Sequence, residues 1–248
     1  MLQRRWQEHR QKQKQCWRNK RKEQFGFMTK QEFCAAQDHS CLGWACPRPL
    51  VDRYIEEVLE YGFASIMVNP DQVAYCASRI EGRAGVGAVI GFPQGFHSKE
   101  IKIAEGLEAL KNGATDLDCV TNFSLLADGK DAELLTEYRD FVNAAKDVNP
   151  DTVVKFIMYK PYCSEPVLDD DQTRRVAELI MQSGADYIKF CGSFPLIKTL
   201  CEGKIKMKHS GCATFQEAID AIQNGCSRIG HDSAVTWLKS VDDSFWTK

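Results

Sequence analysis

The sequence lacks the features that mark several common classes of protein. It has no run of the roughly 18 to 20 apolar residues that a membrane-spanning helix needs, and no apolar signal core near its N-terminus. It also has no Gly-x-Ser-x-Gly elbow, no Gly-x-x-x-x-Gly-Lys phosphate loop and no His-Glu-x-x-His zinc helix. We therefore predict a soluble, cytoplasmic protein that does not act at a membrane and uses neither a metal ion nor a cofactor.

Cysteine, in contrast, is abundant, with 11 residues in a chain of 248. The number is odd, the positions are scattered, and none forms the Cys-x-x-Cys pair of many zinc sites. We interpret most of them as buried, reduced thiols of a cytoplasmic protein. Cys191 and Cys212 are exceptions, because a neighbouring ammonium group is expected to lower the pKa of their thiols.

The two signs of charge are segregated along the chain. Residues 1–24 carry nine Lys and Arg against two Glu, a net charge of +7, which leaves −9 for the rest of a chain whose net charge is −2. We predict that residues 1–30 form a basic N-terminal extension, helical or disordered, outside a domain formed by residues 31–248. Such a segment is either a solvated appendage or a contact surface for an acidic partner, nucleic acid or anionic lipid.

A glycine recurs four times between an amphipathic helical stretch and a short strand-like run. A glycine just past a helix adopts the left-handed conformation that ends the helix, and the chain then turns directly into a buried strand. The four phrases are Tyr61-Gly62-Phe63-Ala64, Asn112-Gly113-Ala114-Thr115, Ser183-Gly184-Ala185-Asp186 and Asn224-Gly225-Cys226-Ser227. They indicate four helix-to-strand connections.

Strand-like and helical segments alternate along most of the chain. The strand-like runs are 65–68, 87–90, 117–120, 153–158, 187–190, 206–208 and 228–230, and clear helical ones are 50–60, 98–111, 132–145 and 172–182. Such alternation implies parallel strands joined by right-handed helical crossovers, in an open doubly wound sheet or a closed barrel. Because no Gly-rich dinucleotide fingerprint follows the first strand, we predict an α/β fold, a (β/α)8 TIM barrel.

In such a barrel the reacting groups lie at the C-terminal ends of the strands. The polar residues that we expect there are Asp38, Asn69, Asp118, Asn122, Lys155, Lys189, Lys208 and the turn His231-Asp232-Ser233. Three of them are lysines inside apolar strand sequence, where an uncompensated ammonium group is costly. One such lysine is more often salt-bridged or reaching solvent, but three together with a nearby aspartate indicate a catalytic site.

The chemistry of an amine nucleophile explains why lysines would be grouped. A free lysine with a pKa of about 10.4 is neutral in only about one molecule in 2500 at pH 7, and only the neutral amine attacks. Burial and a second cation nearby lower the pKa, so a paired lysine activates its neighbour. An aldol reaction also needs a group that moves protons, and Asp118 is the candidate.

Six segments carry a resemblance to a known family. They are Asp38-His39-Ser40-Cys41-Leu42, Ile66-Met67-Val68-Asn69-Pro70, Val89-Ile90-Gly91-Phe92-Pro93-Gln94-Gly95, Asp116-Leu117-Asp118-Cys119-Val120, Ala185-Asp186-Tyr187-Ile188-Lys189 and Lys208-His209-Ser210-Gly211. Over most of residues 35–235 the sequence resembles deoxyribose-phosphate aldolases, class I aldolases that cleave 2-deoxyribose 5-phosphate into acetaldehyde and glyceraldehyde 3-phosphate. The resemblance implies that Lys189 forms a Schiff base, that Asp118 relays protons and that Lys208 perturbs Lys189. It also implies a homodimer.

The resemblance further suggests a set of residues that bind the substrate and its phosphate. They are Asp38, Asn69, Lys155, Gly192, Ser193, Ser210, Gly211, His231 and Ser233.

The chain departs from the family pattern around the expected phosphate site. Phe190-Cys191-Gly192-Ser193 replaces a Thr-Ser-Thr-Gly run, Gly211-Cys212 a Gly-Gly pair, Gly230-His231-Asp232-Ser233 a Gly-x-Ser-Ser turn, and Tyr159-Lys160 a Glu-Thr pair. A carboxylate about 5 Å from a phosphate costs about 3 kcal/mol per unit charge at an effective dielectric of 20. Asp232 therefore either rejects phosphate or points away from it, in which case His231 or Lys160 supplies positive charge.

We expect a class I aldolase whose partner is a small aldehyde or a sugar phosphate. Two alternatives remain open. One is an inactive or weakly active barrel that serves as a binding or scaffold protein, with the basic N-terminal segment as its contact surface. The other keeps Schiff-base chemistry but catalyses a different reaction, as transaldolase-like or dehydratase-like barrels do.

Overall fold

A closed barrel of eight parallel strands forms the centre of the protein. The computed structural model describes residues 28–159, 168–192 and 194–247. The strands are β1 (Gln37–Cys41), β2 (Ser65–Val68), β3 (Gly85–Ile90), β4 (Asp116–Val120), β5 (Val153–Ile157), β6 (Tyr187–Phe190), β7 (Lys206–Ser210) and β8 (Cys226–His231). Each strand pairs with the next, and β8 closes on β1, where Gly230 is opposite Asp38. The predicted (β/α)8 TIM barrel is confirmed.

Helices follow every strand along the chain. They are α1 (Lys30–Ala35, before β1), α2 (Arg48–Tyr61), α3 (Val73–Ile80), α4 (Lys99–Lys111), α5 (Phe123–Ala127), α6 (Asp131–Val148), α7 (Asp170–Gln182), α8 (Phe194–Cys201), α9 (Phe215–Gln223) and α10 (Ala234–Lys239). In α2, Val51, Ile55 and Val58 are buried at the spacing of one helical face. No helix within the described ranges is both long and apolar enough to cross a membrane.

The barrel wall has an apolar outer face and a charged inner face. Side chains of a strand alternate between the two faces, so Leu117 and Cys119 of β4 join the apolar core that includes the helices. Asp116 and Asp118 of the same strand point inward and pair with Lys155 of β5. The main hydrophobic core therefore lies between strands and helices, and the interior of the barrel is available for charged groups.

The four predicted helix-to-strand connections are confirmed by their backbone. Gly62, Gly113, Gly184 and Gly225 have φ angles of 67°, 99°, 85° and 100°. At Gly113 space is limiting as well, because an added Cβ would lie only 2.7 Å from the Cβ of Ala77.

The helix α1, at the start of the described chain, packs against residues near its end. The ring of Phe33 lies 5.4 Å from the rings of Phe215 and Trp246, measured between centroids. Of the predicted extension, residues 1–30, the described part contains only residues 28–30, and residue 30 already begins α1. The extension otherwise lies outside the described residues and stays a prediction.

We expect Gly113→Ala to destabilise the protein more than Gly62→Ala. Both changes force alanine into a left-handed conformation, at about 1–2 kcal/mol. A Cβ at position 62 meets nothing within 4 Å, whereas one at position 113 meets Ala77, and this overpacking adds about 1–3 kcal/mol. Urea denaturation of both variants measures the free energies of unfolding, and equal losses would contradict the steric argument.

Candidate active site

Seven charged side chains from six strands meet inside the barrel. They are Asp38 (β1), Asp116 and Asp118 (β4), Lys155 (β5), Lys189 (β6), Lys208 (β7) and Arg228 (β8). Strand register brings them together: Asp118 is opposite Lys155 in the β4–β5 pair, and Lys189 is opposite Lys208 in the β6–β7 pair. We call these seven residues the charged cluster.

Asp118 lies at the centre of the charged cluster. Its Oδ2 accepts hydrogen bonds from Nζ of Lys189 at 2.9 Å and from Nζ of Lys208 at 2.8 Å. Its Oδ1 lies 3.1 Å from Nζ of Lys155. Complete burial alone would raise the pKa of this carboxyl, but the three ammonium groups outweigh burial and hold its pKa well below the usual range. Asp118 is therefore ionised in the resting site.

The three lysines differ in how many carboxylates hold them. Lys155 contacts three carboxylates, Lys208 contacts two, and Lys189 contacts one. The N–O distances are 2.5, 3.1 and 3.8 Å from Lys155 to Asp116, Asp118 and Asp38, 2.5 and 2.8 Å from Lys208 to Asp38 and Asp118, and 2.9 Å from Lys189 to Asp118. Lys189 is thus the amine with the fewest anionic partners in the charged cluster.

Burial and neighbouring charges act differently on the other two lysines. Burial lowers the pKa of Lys155, but Asp116 and Asp118 outweigh this effect and raise its pKa, so Lys155 stays an ammonium group. For Lys208 burial is the largest influence and Lys189 adds to it. The pKa of Lys208 is lowered, although Asp118 opposes the change. Lys208 is therefore inclined to release its proton.

The charged cluster has one more basic group than acidic groups. Three carboxylates face three lysines and Arg228, whose guanidinium lies 2.5 Å from Asp38 and does not lose its proton in proteins. With every group ionised the cluster carries one unpaired positive charge, which is costly to bury. Release of one lysine proton balances the charges.

All three lysines are buried, and Lys189 is the least enclosed of them. It is 2% exposed, whereas Lys155 and Lys208 are fully buried. Gly230 leaves the room that Lys208 occupies, because an added Cβ would lie 2.6 Å from Oγ of Ser210 and 3.0 Å from Cε of Lys208. The barrel thus encloses Lys208 and leaves Lys189 as the amine that a substrate reaches.

Tyr159 and Ser210 place hydroxyl groups near the lysines. Tyr159 follows β5, and its hydroxyl is hydrogen-bonded to the side chain of Ser210, within electrostatic reach of Lys208 and Cys191. Burial raises the pKa of Tyr159 to about 12, so the phenol keeps its proton. Sequence reasoning identified Ser210 as a site residue but noted Tyr159 only as a departure from the family pattern.

The remaining predicted substrate-binding residues belong to the turns after the strands. Asn69 follows β2 and is half-buried, while Gly192 and Gly211 follow β6 and β7 with φ angles of 69° and 73°. His231 ends β8, and its ring lies 4.6 Å from that of Trp237, measured between centroids. Ser193 lies outside the described residues, as does Lys160. Ser233 follows β8, and its backbone N lies 2.9 Å from Nδ1 of His231.

The thiols near the lysines do not have the lowered pKa that the sequence led us to expect. Burial raises the pKa of Cys191, and it raises that of Cys212 to about 12. Cys212 is fully buried and its Sγ lies 3.1 Å from Nδ1 of His209, so desolvation outweighs any influence of the ammonium groups. That expectation was wrong.

Four predicted residues lie inside their strands and not at the C-terminal ends. Asp38 is the second residue of β1, and Asp118, Lys155 and Lys208 are the middle residues of β4, β5 and β7, because inward side chains stack in layers along the barrel. Sequence reasoning missed Asp116 and Arg228. The alternation of side chains between the two faces of a strand could have identified them, since Asp116 lies on the same strand face as Asp118, and Arg228 on the same face as Gly230.

Among the described residues, no group of three or more histidine, cysteine, aspartate or glutamate side chains is arranged to hold a metal ion. The charged cluster instead combines amines with carboxylates that neutralise them. Such an arrangement can form and stabilise a Schiff base with an aldehyde.

Comparison with known proteins identifies relatives over nearly the whole barrel. A deoxyribose-phosphate aldolase of Caldicellulosiruptor saccharolyticus is 31% identical over 220 residues, covering 84% of this chain and 97% of the relative. One of Carboxydothermus hydrogenoformans is 31% identical over 216 residues, covering 82% and 92%. The solved structure of a deoxyribose phosphate aldolase from Aeropyrum pernix superposes with a TM-score of 0.75 at 25% identity, covering 86% and 92%.

The family profile described as DeoC/LacD family aldolase matches residues 48–225. This range spans the strands β2 to β7 and includes Asp118, Lys189 and Lys208. The chain therefore belongs to the DeoC/LacD family of aldolases.

Proposed function

We propose that the protein is a class I aldolase, a lyase that cleaves 2-deoxyribose 5-phosphate or a related aldol through a Schiff base on Lys189. The observation that carries the proposal is the meeting of two lysine amines, Lys189 and Lys208, at one carboxylate oxygen of Asp118. The names of the curated relatives support the substrate class. No observation favours the alternative of a scaffold barrel without activity.

Lys189 is the nucleophile in this proposal because of its position. It is the least enclosed of the three lysines and has a single carboxylate partner. Lys155 is held as an ammonium group by Asp116 and Asp118. Lys208 is fully buried and occupies the space beside Gly230, so it is less accessible to a substrate carbonyl.

Lys208 serves as the proton store for the nucleophile. The cluster has one more basic group than acidic groups, so one proton can be shared between the two amines that meet at Asp118, and Lys189 is neutral when Lys208 holds that proton. Asp118 bridges the two amines through Oδ2. The pKa of Asp118 is too low for the carboxyl to keep a proton, so Asp118 passes protons on and stabilises whichever neighbour is cationic.

The reaction requires the neutral amine of Lys189 next to the ionised carboxylate of Asp118. Nζ of Lys189 adds to the aldehyde carbon, and the carbonyl oxygen leaves as water, which forms a cationic imine facing Asp118. When the C2–C3 bond breaks, the C3 hydroxyl gives up its proton and becomes the glyceraldehyde 3-phosphate carbonyl, while the imine accepts the electron pair and becomes an enamine. Protonation of the enamine at C2 and hydrolysis release acetaldehyde and restore Lys189.

The location and assembly of the protein stay predictions. All nine cysteines in the described part of the chain are free, which supports a reducing compartment such as the cytoplasm. The homodimer and an acidic partner for residues 1–24 rest on the sequence alone.

Reductive trapping tests the Schiff base directly. Incubation with acetaldehyde and borohydride is expected to add one ethyl group at Lys189 irreversibly, because an imine there is reduced to a secondary amine. Peptide mass spectrometry locates the adduct. Lys189→Met is the control and is expected to abolish labelling, and a wild-type protein without any adduct would end the proposal.

Asp118→Asn and Asp116→Asn separate catalysis from charge balance. Each removes one buried carboxylate, so each is expected to lower the free energy of unfolding by about 3–5 kcal/mol. Asp118 contacts both Lys189 and Lys208, whereas Asp116 pairs with Lys155. Asp118→Asn is therefore expected to lower kcat by roughly 10²–10⁴-fold beyond the effect of Asp116→Asn. Chemical denaturation and turnover measure the two quantities, and equal kcat values would remove Asp118 from the mechanism.

The rate of adduct formation should rise with pH, and replacement of Lys208 should shift the pH at which it rises. The folded-state pKa of Lys208 is lowered below 10.5, so its proton is lost as pH rises through that lowered value, and adduct formation increases there. In Lys208→Met the remaining three basic groups match the three carboxylates, so no excess positive charge favours the release of a proton. The pH at which the rate of adduct formation rises is therefore expected to increase by roughly 1–3 units. Borohydride trapping over a series of pH values measures where the rate rises, and the same pH dependence in both proteins would contradict the role of Lys208.

A further inference from the structure

Arg228 is the one basic member of the charged cluster whose charge is fixed. A guanidinium group does not lose its proton in proteins, whereas the amine of a buried lysine can. Arg228 lies on β8, opposite Lys208 of β7, and its side chain is 21% exposed, while that of Lys208 is fully buried. Its ion pair is with Asp38, so Arg228 affects the lysines from the far side of that carboxylate.

The two oxygens of Asp38 have different partners. Oδ1 accepts a hydrogen bond from Oγ of Ser65 at 2.8 Å and one from Nη1 of Arg228 at 2.5 Å. Oδ2 lies 2.5 Å from Nζ of Lys208, but no donor among the described residues is aligned with it, and Lys208 donates its hydrogen bond to Asp118. Arg228 and Ser65 thus hold Asp38 by one oxygen, and the other oxygen faces the lysines.

The groups around this ion pair keep both of its members charged. Burial alone would raise the pKa of Asp38, but Lys208, Lys155 and Arg228 outweigh burial and Asp118, and they hold its pKa below the usual range.

Arg228 faces the carboxylates of Asp38 and Asp116 and the phenol of Tyr187. The two carboxylates outweigh burial and raise its pKa. The ion pair of Arg228 and Asp38 is therefore permanent.

This permanent pair decides how many lysine protons the charged cluster holds. The three carboxylates carry three negative charges, and Arg228 neutralises one of them. Two negative charges remain for three lysines, so the cluster is neutral when one lysine has lost its proton. Lys155 has three carboxylate partners and stays an ammonium group, so the neutral amine is Lys189 or Lys208.

The total charge of the cluster stays the same when the imine forms. Lys189 adds to the aldehyde as a neutral amine while Lys208 holds the shared proton. That proton leaves with the carbonyl oxygen as water, so Lys208 becomes neutral and the new C=N bond at Lys189 carries the positive charge. The cluster is neutral before and after this step because Arg228 neutralises its carboxylate throughout.

We propose that Arg228 is a positioning residue for the aldol reaction: its fixed charge at Oδ1 of Asp38 displaces one proton from the three lysines and thereby supplies Lys189 as a neutral amine. The inference rests on the proposed aldolase function and names the residue that sets the pH at which the same site works.

The pH dependence of borohydride trapping with acetaldehyde tests the inference. In Arg228→Met three lysines face three carboxylates, so all three lysines keep their protons to higher pH. The pH at which the rate of adduct formation rises is expected to increase by about 1–2 units, which lowers the rate at a fixed lower pH by about 10- to 100-fold. Arg228→Lys restores a cation and is expected to return the profile towards that of the wild-type protein.

Asp38→Asn gives the complementary test, because it removes the negative member of the same ion pair. Alone, it leaves four basic groups with two carboxylates, and the rate is expected to rise at lower pH than in the wild-type protein. The double variant Arg228→Met/Asp38→Asn leaves three lysines with two carboxylates. This restores the excess of one basic group, so its profile is expected to return to about the wild-type pH.

The double variant also protects the test against misfolding. Removal of one partner of a buried ion pair leaves an unpaired charge, whereas removal of both partners does not. The double variant is therefore expected to be folded even if Arg228→Met is not, and chemical denaturation of each variant establishes this.

Lys206→Met is the matched control. Lys206 is an exposed residue of β7, and its Nζ lies 5.5 Å from the ring centroid of Tyr187, the same ring that Arg228 faces. Its replacement removes one positive charge near Arg228 but leaves the charged cluster complete. The pH profile of trapping is expected to remain that of the wild-type protein.

The outcomes separate this inference from the proposed function. A folded Arg228→Met variant whose rate rises at the wild-type pH, even with less adduct, overturns the role of Arg228 and leaves the aldolase intact. A double variant whose rate rises about 1–2 units above the wild-type pH also overturns that role. A wild-type protein that forms no adduct at any pH overturns both the inference and the proposed function.

Discussion

The carboxylate of Asp118 is the contact on which the site depends. It is fully buried and touches the ammonium groups of three lysines from three consecutive strands. Without it, the three lysines and Arg228 would face only the carboxylates of Asp38 and Asp116, and the excess positive charge would be costly to bury unless water entered or lysines lost their protons. The same carboxylate that makes the interior chemically useful therefore also makes it compatible with a folded barrel.

Much of this arrangement could be predicted from the sequence, because the signals are local. Glycines with left-handed φ angles mark helix ends, and two predicted strands, 65–68 and 187–190, match the observed bounds. Three lysines in apolar strand sequence, together with a nearby aspartate, identified the site, although one such lysine alone would not have done so. Their convergence followed from the barrel alone, since parallel strands in sequence order bring neighbouring inward residues together.

What could not be predicted depends on register and on distance across the barrel. The pairing of Arg228 with Asp38 joins residues 190 positions apart, and no local pattern connects them. The direction in which a thiol pKa shifts is equally hard to predict, because burial raises the pKa of Cys191 and of Cys212. Sequence shows which charges are present, whereas desolvation depends on packing that only the folded chain supplies.

Gly230 has a consequence for how the protein would respond to random substitution. The residue has no functional group, yet any side chain there would intrude on Cε of Lys208 and Oγ of Ser210. A saturation screen for turnover would therefore score this position as intolerant, alongside residues that react. The space that Gly230 leaves beside Lys208 is therefore as necessary for catalysis as the lysine itself.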